Sequence, residues 1–332
     1  MIDATGSIRA ARLSDRQALV DLSRQVHDSP EGYRRSLGVP ARSAAPPRIS
    51  LATLMPSWLP LRLPSVHLVA EWEGALVGSC RAIEEPHRDD WVITELDAAD
   101  SPMSGEVRYA LLGAMIEEGA QRNIGRYHAA CADVPENMEL FGQLSFMAYA
   151  QEEIWYRPPG GLKSAKGRAD PMQPATAPDA WHLFDLWTHT TPPAIARIEA
   201  YGATDWEAVG HEGVVPRSSL NPLLHFSDVN GWLLPDGQRV AGFAQHGACR
   251  AGPHYLRFLV RDGADGADFM RSVLAAVGSE ALAAGILAPV RTYESMGRQA
   301  AAETGFEAVG EVSMLVREVR ASVRQPAMVP AV

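Results

Sequence analysis

The 332-residue sequence has only three cysteines, Cys80, Cys131 and Cys249. They are far apart and odd in number, which excludes a disulfide framework and a paired-cysteine zinc site. They read as reduced, buried thiols of a cytoplasmic protein, and no positioned base lies near any of them in the chain. The ten histidines include no H-x-x-x-H pair and no H-E-x-x-H motif, so nothing points to a metal. Long apolar runs are missing as well. The best candidate, Leu51 to Val69, is broken by Pro56, Pro60, Pro64 and Arg62, and cannot span a membrane as a helix. No apolar run follows a basic start, so no signal peptide is expected. Positive charge is scarce: 30 Lys and Arg stand against 40 Asp and Glu, a net charge of −10. That field repels a nucleic-acid duplex and an anionic membrane surface. The expected partners are therefore neither nucleic acid nor membrane, and a small-molecule amine remains open.

What is present is the composition of a folded protein, 46% hydrophobic and 21% charged. The length suffices for two domains with their own cores. Between Arg157 and Pro178 lie Pro158, Pro159, Gly160, Gly161, Gly167, Pro171 and Pro174, which interrupt helix and strand alike. The expected division is a first domain over 1–157, a linker over 158–178, a second domain over 179–320 and a frayed tail over 321–332.

The two parts repeat each other. Val69 to Gly78 reads as strand, Glu73-Gly74 turn and strand; Leu233 to Gly242 reads the same way around Asp236-Gly237. A further strand ends at Ala98 and at Val260, a helix runs through Leu112 and Leu274, and Leu144-Ser145-Phe146 is echoed by Thr304-Gly305-Phe306. These landmarks are separated by 160 to 163 residues. In the first part, periodicity predicts strands at Ile8–Arg12, Val66–Trp72, Leu76–Glu84, Trp91–Ala98, Tyr127–Ala132 and Ala150–Arg157. It predicts helices after a Ser14/Gln17 capping box, at Glu106–Arg122 and at Glu136–Leu144.

This order of elements resembles the GNAT superfamily of acyl-CoA-dependent N-acyltransferases, over nearly all of both parts. The resemblance implies an α/β (α+β) protein with two tandem GNAT-like domains, each a mixed, mostly antiparallel sheet flanked by helices. It also implies acetyl-CoA or another acyl-CoA as co-substrate and no metal. The family pattern L-x-V-x-P-x-x-R-G-x-G-x-G fits from Leu96 onward, placing Leu96, Ala98, Ser104, Gly105, Glu106, Val107, Arg108 and Tyr109 as the cofactor-binding stretch. The motif arginine falls on Met103 and its glycines on Ser104, Glu106 and Arg108. In the second part the same positions hold Asp265, Gly266, Asp268 and Met270, and the two aspartates oppose a phosphate. Arg108 is expected to offset Glu106, so any CoA should bind the first part. The late family motif places its tyrosine acid on Phe141 and Ala301, and neither donates a proton. Glu95 and Asp97, on one strand face, are the candidate catalytic carboxylates; the plainer alternative is a solvated or salt-bridged pair. The aromatics Trp181, Phe184 and Trp187 are expected in a core. The reading favoured is an N-acyltransferase acting on an unknown small amine, and the alternative a non-catalytic tandem GNAT-fold binding or scaffold protein. The acceptor, the acyl chain and the oligomeric state are not fixed by sequence.

Overall fold

The computed structural model describes residues 6–28, 37, 65–85, 88–160, 172–207, 217–220, 226–250 and 252–319. The arginine- and proline-rich stretch Gly32 to Pro64, apart from Leu37, lies outside them, as do much of the 158–178 segment and the tail.

The first half runs β1 (Gly6–Ala10), α1 (Arg16–Asp28), β2 (Ser65–Trp72), β3 (Ala75–Glu84), β4 (Asp90–Ala98), α2 (Ser104–Gln121), β5 (Arg126–Ala132), α3 (Pro135–Gln143) and β6 (Met147–Arg157). The second half runs β7 (Gln173–Pro174), α4 (Ala180–Thr190), α5 (Pro193–Glu199), β8 (Phe226–Asp236), β9 (Arg239–Cys249), β10 (His254–Val260), α6 (Gly266–Ala284), β11 (Ile286–Arg291), α7 (Ser295–Glu303) and β12 (Glu307–Glu318). The turns that the repeat predicted are built alike. Glu73 and Gly74 take φ of 49° and 80°, and Gly237 takes 60°, as tight hairpins require. Ser145 and Gly305, at 62° and 88°, turn the chain from α3 into β6 and from α7 into β12. The start of α1 differs in detail from the capping-box reading: Asp15, not Ser14, accepts the Arg12 amide at 2.7 Å.

Each long helix crosses its sheet over a glycine. A Cβ on Gly78 would lie 2.6 Å from Val107 of α2, and one on Gly242 would lie 3.0 Å from Phe269 of α6. The helices therefore sit close, and each covers one apolar core. The first includes Leu68, Cys80, Leu96, Leu111 and Met115, the second Leu256, Phe258, Phe269 and Val273. On the opposite face α1 covers Val69 through Leu19. There α4 packs Leu183, Leu186 and Trp187 on Phe243 and Leu259. Of the three aromatics expected in a core, Trp187 is buried, whereas Trp181 is 65% exposed.

Among the described residues twelve strands form one sheet, in the order β1-β2-β3-β4-β5-β12-β6-β11-β10-β9-β8-β7, and of their pairings only β4–β5 and β10–β11 are parallel. The strand expected to complete the first half, β6, does not lie beside β5. It pairs with β11, from Ile286↔Arg157 to Arg291↔Glu152. The edge of β5 is taken by β12, from Val312↔Ala132 to Glu318↔Arg126, and β6 and β12 pair with each other. The halves thus exchange their last strands. Side-chain alternation records which residues face the core, but it does not say which of two similar strands fills a given edge.

Candidate active site

The site is set by where two parallel strands part. β4 and β5 are hydrogen-bonded neighbours from Asp90↔Arg126 to Ile93↔Ala129 and no further. Beyond that point Glu95 to Ala98 pair only with β3, while Ala132 pairs with β12. A register shift on β4 between Ile93 and Glu95 marks the divergence. The opening widens toward the start of α2.

That helix start is exposed. Met103 supplies no capping side chain, and Gly105 and Glu106 face solvent. Unpaired amides and the helix dipole at such an end favour an anion. Val107 is buried and Tyr109 is 42% exposed. Arg108 is not beside Glu106 at the surface, as expected from sequence. It is 5% exposed and donates from Nη2 to Asn137 Oδ1 at 2.9 Å. Asn137 in turn donates to the Ala132 carbonyl at 3.1 Å. The side chain turns inward because a carboxyl, Asp97, and an amide, Asn137, await it there; Glu106 is solvated and offers less.

The second half is closed at the corresponding places. Asp265 caps α6 by accepting the Asp268 amide at 2.9 Å, and Asp268 is paired with Arg271. Where β10 and β11 part, after Tyr255↔Leu287, the buried Arg257 donates to Glu294 at 2.9 Å through Nη1 and again through Nη2. At the repeat offset Asp97 corresponds to Leu259 and Arg108 to Met270, both in the apolar interior. The polar group in the first opening is therefore no demand of the fold.

Glu95 and Asp97 are both buried, 7% and 2% exposed, so neither is solvated, while the salt-bridged alternative describes Glu95. Glu95 accepts from Ser79 Oγ at 2.6 Å. His67 Nε2 and Arg81 Nε lie 3.6 and 3.7 Å away. Burial pushes the Glu95 carboxyl up, but His67, Arg81 and Ser79 together outweigh it and hold it well below the usual carboxylate range. Asp97 moves the other way: burial first, then the charge of Glu95, raise it well above its ordinary value, against the pull of Arg108 and Arg81. Two neighbouring carboxyls are thus driven apart, burial and charge favouring the ionised form of Glu95 and the neutral form of Asp97. Sequence placed both on one strand face and could not distinguish them, because their cross-strand partners come from β2 and β3.

Two residues that sequence did not single out, His128 and Arg217, stand at the floor of the opening. Val92, Ile93 and Thr94 of β4, His128, Ala129 and Ala130 of β5, Arg217, Ser218 and Ser219 of the second half, and Leu37 and Met314 enclose a cavity of about 20 Å³. His128 is 1% exposed, with Nε2 3.5 Å from Asp90. Burial and the Arg217 charge lower its imidazole to about 4 despite Asp90. Arg217 is 3% exposed and donates to Glu85 from Nε at 2.8 Å and from Nη2. A lone histidine or arginine carries no spacing signal; the topology brings them together across 89 residues of chain.

Cys80 and Cys131 are buried, as expected, and Cys249 is half-buried. Burial raises Cys131 to about 12 and Cys249 to about 11, and pushes Cys80 up further, so none is a thiolate. Phe141 packs edge-on against Phe146 at 5.1 Å, inside the core. Tyr127 donates to the Ile116 carbonyl at 2.8 Å and serves the core. Among the described residues no group of three or more His, Cys, Asp or Glu is placed to hold a metal. None of their helices is long and apolar enough to cross a membrane.

A second buried histidine gives a pH test of the fold. His246 stacks on His254 with Nε2 and Nδ1 2.9 Å apart. Burial, then the His254 neighbour, lower His246 to about 4. The unfolded chain titrates near 6.5, so between these values it binds more protons than the folded one, and stability falls as pH drops. Asp97, whose value is raised, works in the opposite sense. Comparing wild type with His246→Asn isolates the imidazole. Urea unfolding should show the gap between them shrinking by about 2 kcal/mol from pH 7 to pH 5. A gap independent of pH would refute the assignment.

No protein-family model matches the chain, and no curated protein matches it in sequence. Solved structures do match in fold. A tandem GNAT protein from the clavulanic acid biosynthesis pathway superposes with a TM-score of 0.55 at 12% identity, covering 96% of this chain and 99% of its own. A GCN5-related N-acetyltransferase from Sphaerobacter thermophilus gives 0.54 at 13% identity, covering 97% and 98%. The chain has the tandem GNAT fold, with its mixed, mostly antiparallel sheet flanked by helices.

Proposed function

We propose that the protein is an acyl-CoA-dependent N-acyltransferase working through its first half on a small amine. One observation carries this reading. The first strand opening leads to an exposed, uncapped helix start and is lined by buried polar groups, whereas the second is capped by Asp265 and filled by Arg257 and Glu294. Acetyl-CoA or another acyl-CoA fits the first half on these grounds: the first-turn amides of Gly105 and Glu106 suit a pyrophosphate, and the free backbone edges of Leu96 and Ala98 suit an extended amide-bearing arm. The acyl donor supplies an activated thioester there.

Asp97 is the residue to protonate the departing thiolate. Phe141 stands where the family tyrosine would be and has no proton to give. Burial and the charge of Glu95 both favour the neutral, proton-carrying form of Asp97. Glu95, held ionised, is a poor base, because a base far below the working pH gains little from taking a proton. Its part is to keep Asp97 loaded.

The binding half of this reading is tested by charge. A side chain at Gly105 meets nothing within 4 Å, so Gly105→Glu should fold normally while placing a carboxylate beside the pyrophosphate. Titration with CoA should show three- to tenfold weaker binding, since exposed helix-end charge effects run to roughly 1 kcal/mol. Asp268→Ala, in the second half, should leave binding unchanged. Equal losses from both substitutions would remove the assignment to the first half.

A second reading, a non-catalytic binding or scaffold protein, is favoured by the Arg108–Asn137 hydrogen bond inside the first opening. Thiol release from acetyl-CoA and longer acyl-CoAs over a panel of amines, together with CoA-dependent melting, separates the two. No release and no shift would favour the scaffold. Ligand at 100 times its dissociation constant should add about 2.7 kcal/mol.

A further inference from the structure

Arg108 and Asn137 form a bar across the first strand opening. Arg108 stands near the start of α2, and Asn137 in the first turn of α3. Asn137 Oδ1 accepts from Arg108 Nη2 at 2.9 Å, and its Nδ2 donates to the Ala132 carbonyl at 3.1 Å. Ala132 ends β5, past the point where β5 has left β4. The bonds thus run from α2 through α3 to the end of β5. Leu96 and Asp97 of β4, Arg108 and Asn137 are all buried, Asn137 to 0% exposure. A passage wide enough for an extended arm would leave its walls in reach of water. At this level, below the exposed helix start, the opening is closed.

The second half closes the same place differently. At repeat offsets of 160 to 162 residues, Leu96 corresponds to Phe258, Arg108 to Met270 and Asn137 to Gly297. Phe258 packs onto Gly297 so tightly that a Cβ there would lie 3.2 Å from its ring. An apolar filling of this kind stays in place, because opening it exposes carbon to water. The first half has a smaller Leu96, and a guanidinium resting on a neutral amide. The net stabilisation from such a polar contact is modest, because water replaces it on opening. α2 begins at the surface, so the side chain can leave the interior for solvent.

We propose that Arg108 is a latch: it closes the first opening in the free protein, and the arm of the acyl donor enters only after the Arg108–Asn137 bond is broken. The inference rests on the acyltransferase reading and adds a conformational step to it. Closed and open states exchange before binding. The arm binds only the open state, because it and the guanidinium occupy the same space. The apparent affinity is therefore reduced by the open fraction.

The test uses the full chain, with CoA as the ligand. In calorimetric titration Arg108→Ala should bind CoA roughly tenfold or more tighter than wild type. Should Arg108→Ala not fold, Arg108→Met takes its place, since the second half folds with methionine there. Asn137→Asp gives the guanidinium an ionised partner and should weaken CoA roughly tenfold. The two substitutions move affinity in opposite directions, so a general loss of fold cannot imitate the result. A carboxylate at position 137 can also repel the ligand directly, and the double variant separates the causes. An effect through the latch disappears once Arg108 is gone, whereas repulsion persists. Stopped-flow mixing gives a second readout. The observed binding rate of wild type should level off as CoA rises, because opening comes first, and should keep rising in Arg108→Ala. Unchanged or weaker binding by the folded Arg108 variant, or an Asn137→Asp effect that persists without Arg108, overturns the latch and leaves the acyltransferase reading standing. CoA binding by the Arg108 variant but not by wild type supports the latch. No CoA binding by either overturns both.

Discussion

Deleting residues 307–332 should unfold both halves, not the second alone. β12 lies between β5 and β6, so its removal strips the hydrogen-bonding partner from seven residues of β5, Arg126 to Ala132, and from most of β6. It also removes Val312, Met314, Leu315 and Val316, all buried. Of these, Leu315 packs into the core of the first half, and Val312 into the cluster that joins Ile154, Leu220, Tyr255 and Leu287. Fully burying each such side chain contributes about 1.5 to 3 kcal/mol, and their sum is comparable to the whole stability of a domain. The first half should therefore not persist as a folded core after truncation. The measurement is circular dichroism and urea unfolding of the truncated chain, with a synthetic 307–319 peptide added back. A cooperative transition in the truncated chain, insensitive to the peptide, would show that β6 can take the β5 edge itself.

Glu294→Ala should be the most damaging single substitution in the second half. Glu294 accepts from Nη1 and Nη2 of Arg257 and from the Arg291 amide, the latter at 3.0 Å. Arg257 is 0% exposed. Taking away one partner leaves a buried charge uncompensated, at a cost of about 3 to 5 kcal/mol. Glu294→Gln keeps an acceptor and should cost less. Arg257→Met with Glu294→Leu should recover much of the loss, because a packed apolar pair needs no partner. Denaturant midpoints of the three variants decide the matter. A loss under 1 kcal/mol for Glu294→Ala would mean that water reaches Arg257.

Hydrogen bonds and ion pairs also join the two halves. Arg88 donates to the Glu199 and Ala200 carbonyls at 2.8 and 3.1 Å and to Asp205 at 2.8 Å, and Arg126 donates to the Ile198 carbonyl at 2.9 Å. Arginines of the first half thus satisfy the last carbonyls of α5, where a helix end attracts cations. Arg291 joins Glu152 and Glu199 in the interior at 3.2 and 2.8 Å. The division into two halves is legible in the repeat, but the bonds across it run through strands, buried charges and a helix end.

By itself the sequence determined the elements and their repetition. Alternation at Val66–Trp72 and at Trp91–Ala98, the Glu73-Gly74 and Asp236-Gly237 turns, and the constant offset are local or periodic signals, and each reports a backbone preference within a few residues. They led to the GNAT-like layout and to Glu95 and Asp97 on one strand face. Tertiary structure alone decided the rest. Which edge β6 and β12 occupy depends on competition between two similar strands. The downward shift of Glu95 comes from His67, Arg81 and Ser79 on other elements, and the upward shift of Asp97 from burial and the Glu95 charge, against Arg108 and Arg81. Arg108 turns inward because Asn137, on another helix, offers an oxygen there. His128 and Arg217 meet only because the second half is folded back onto β4 and β5, and electrostatic and packing energies of that kind depend on distances in space that residue order does not encode.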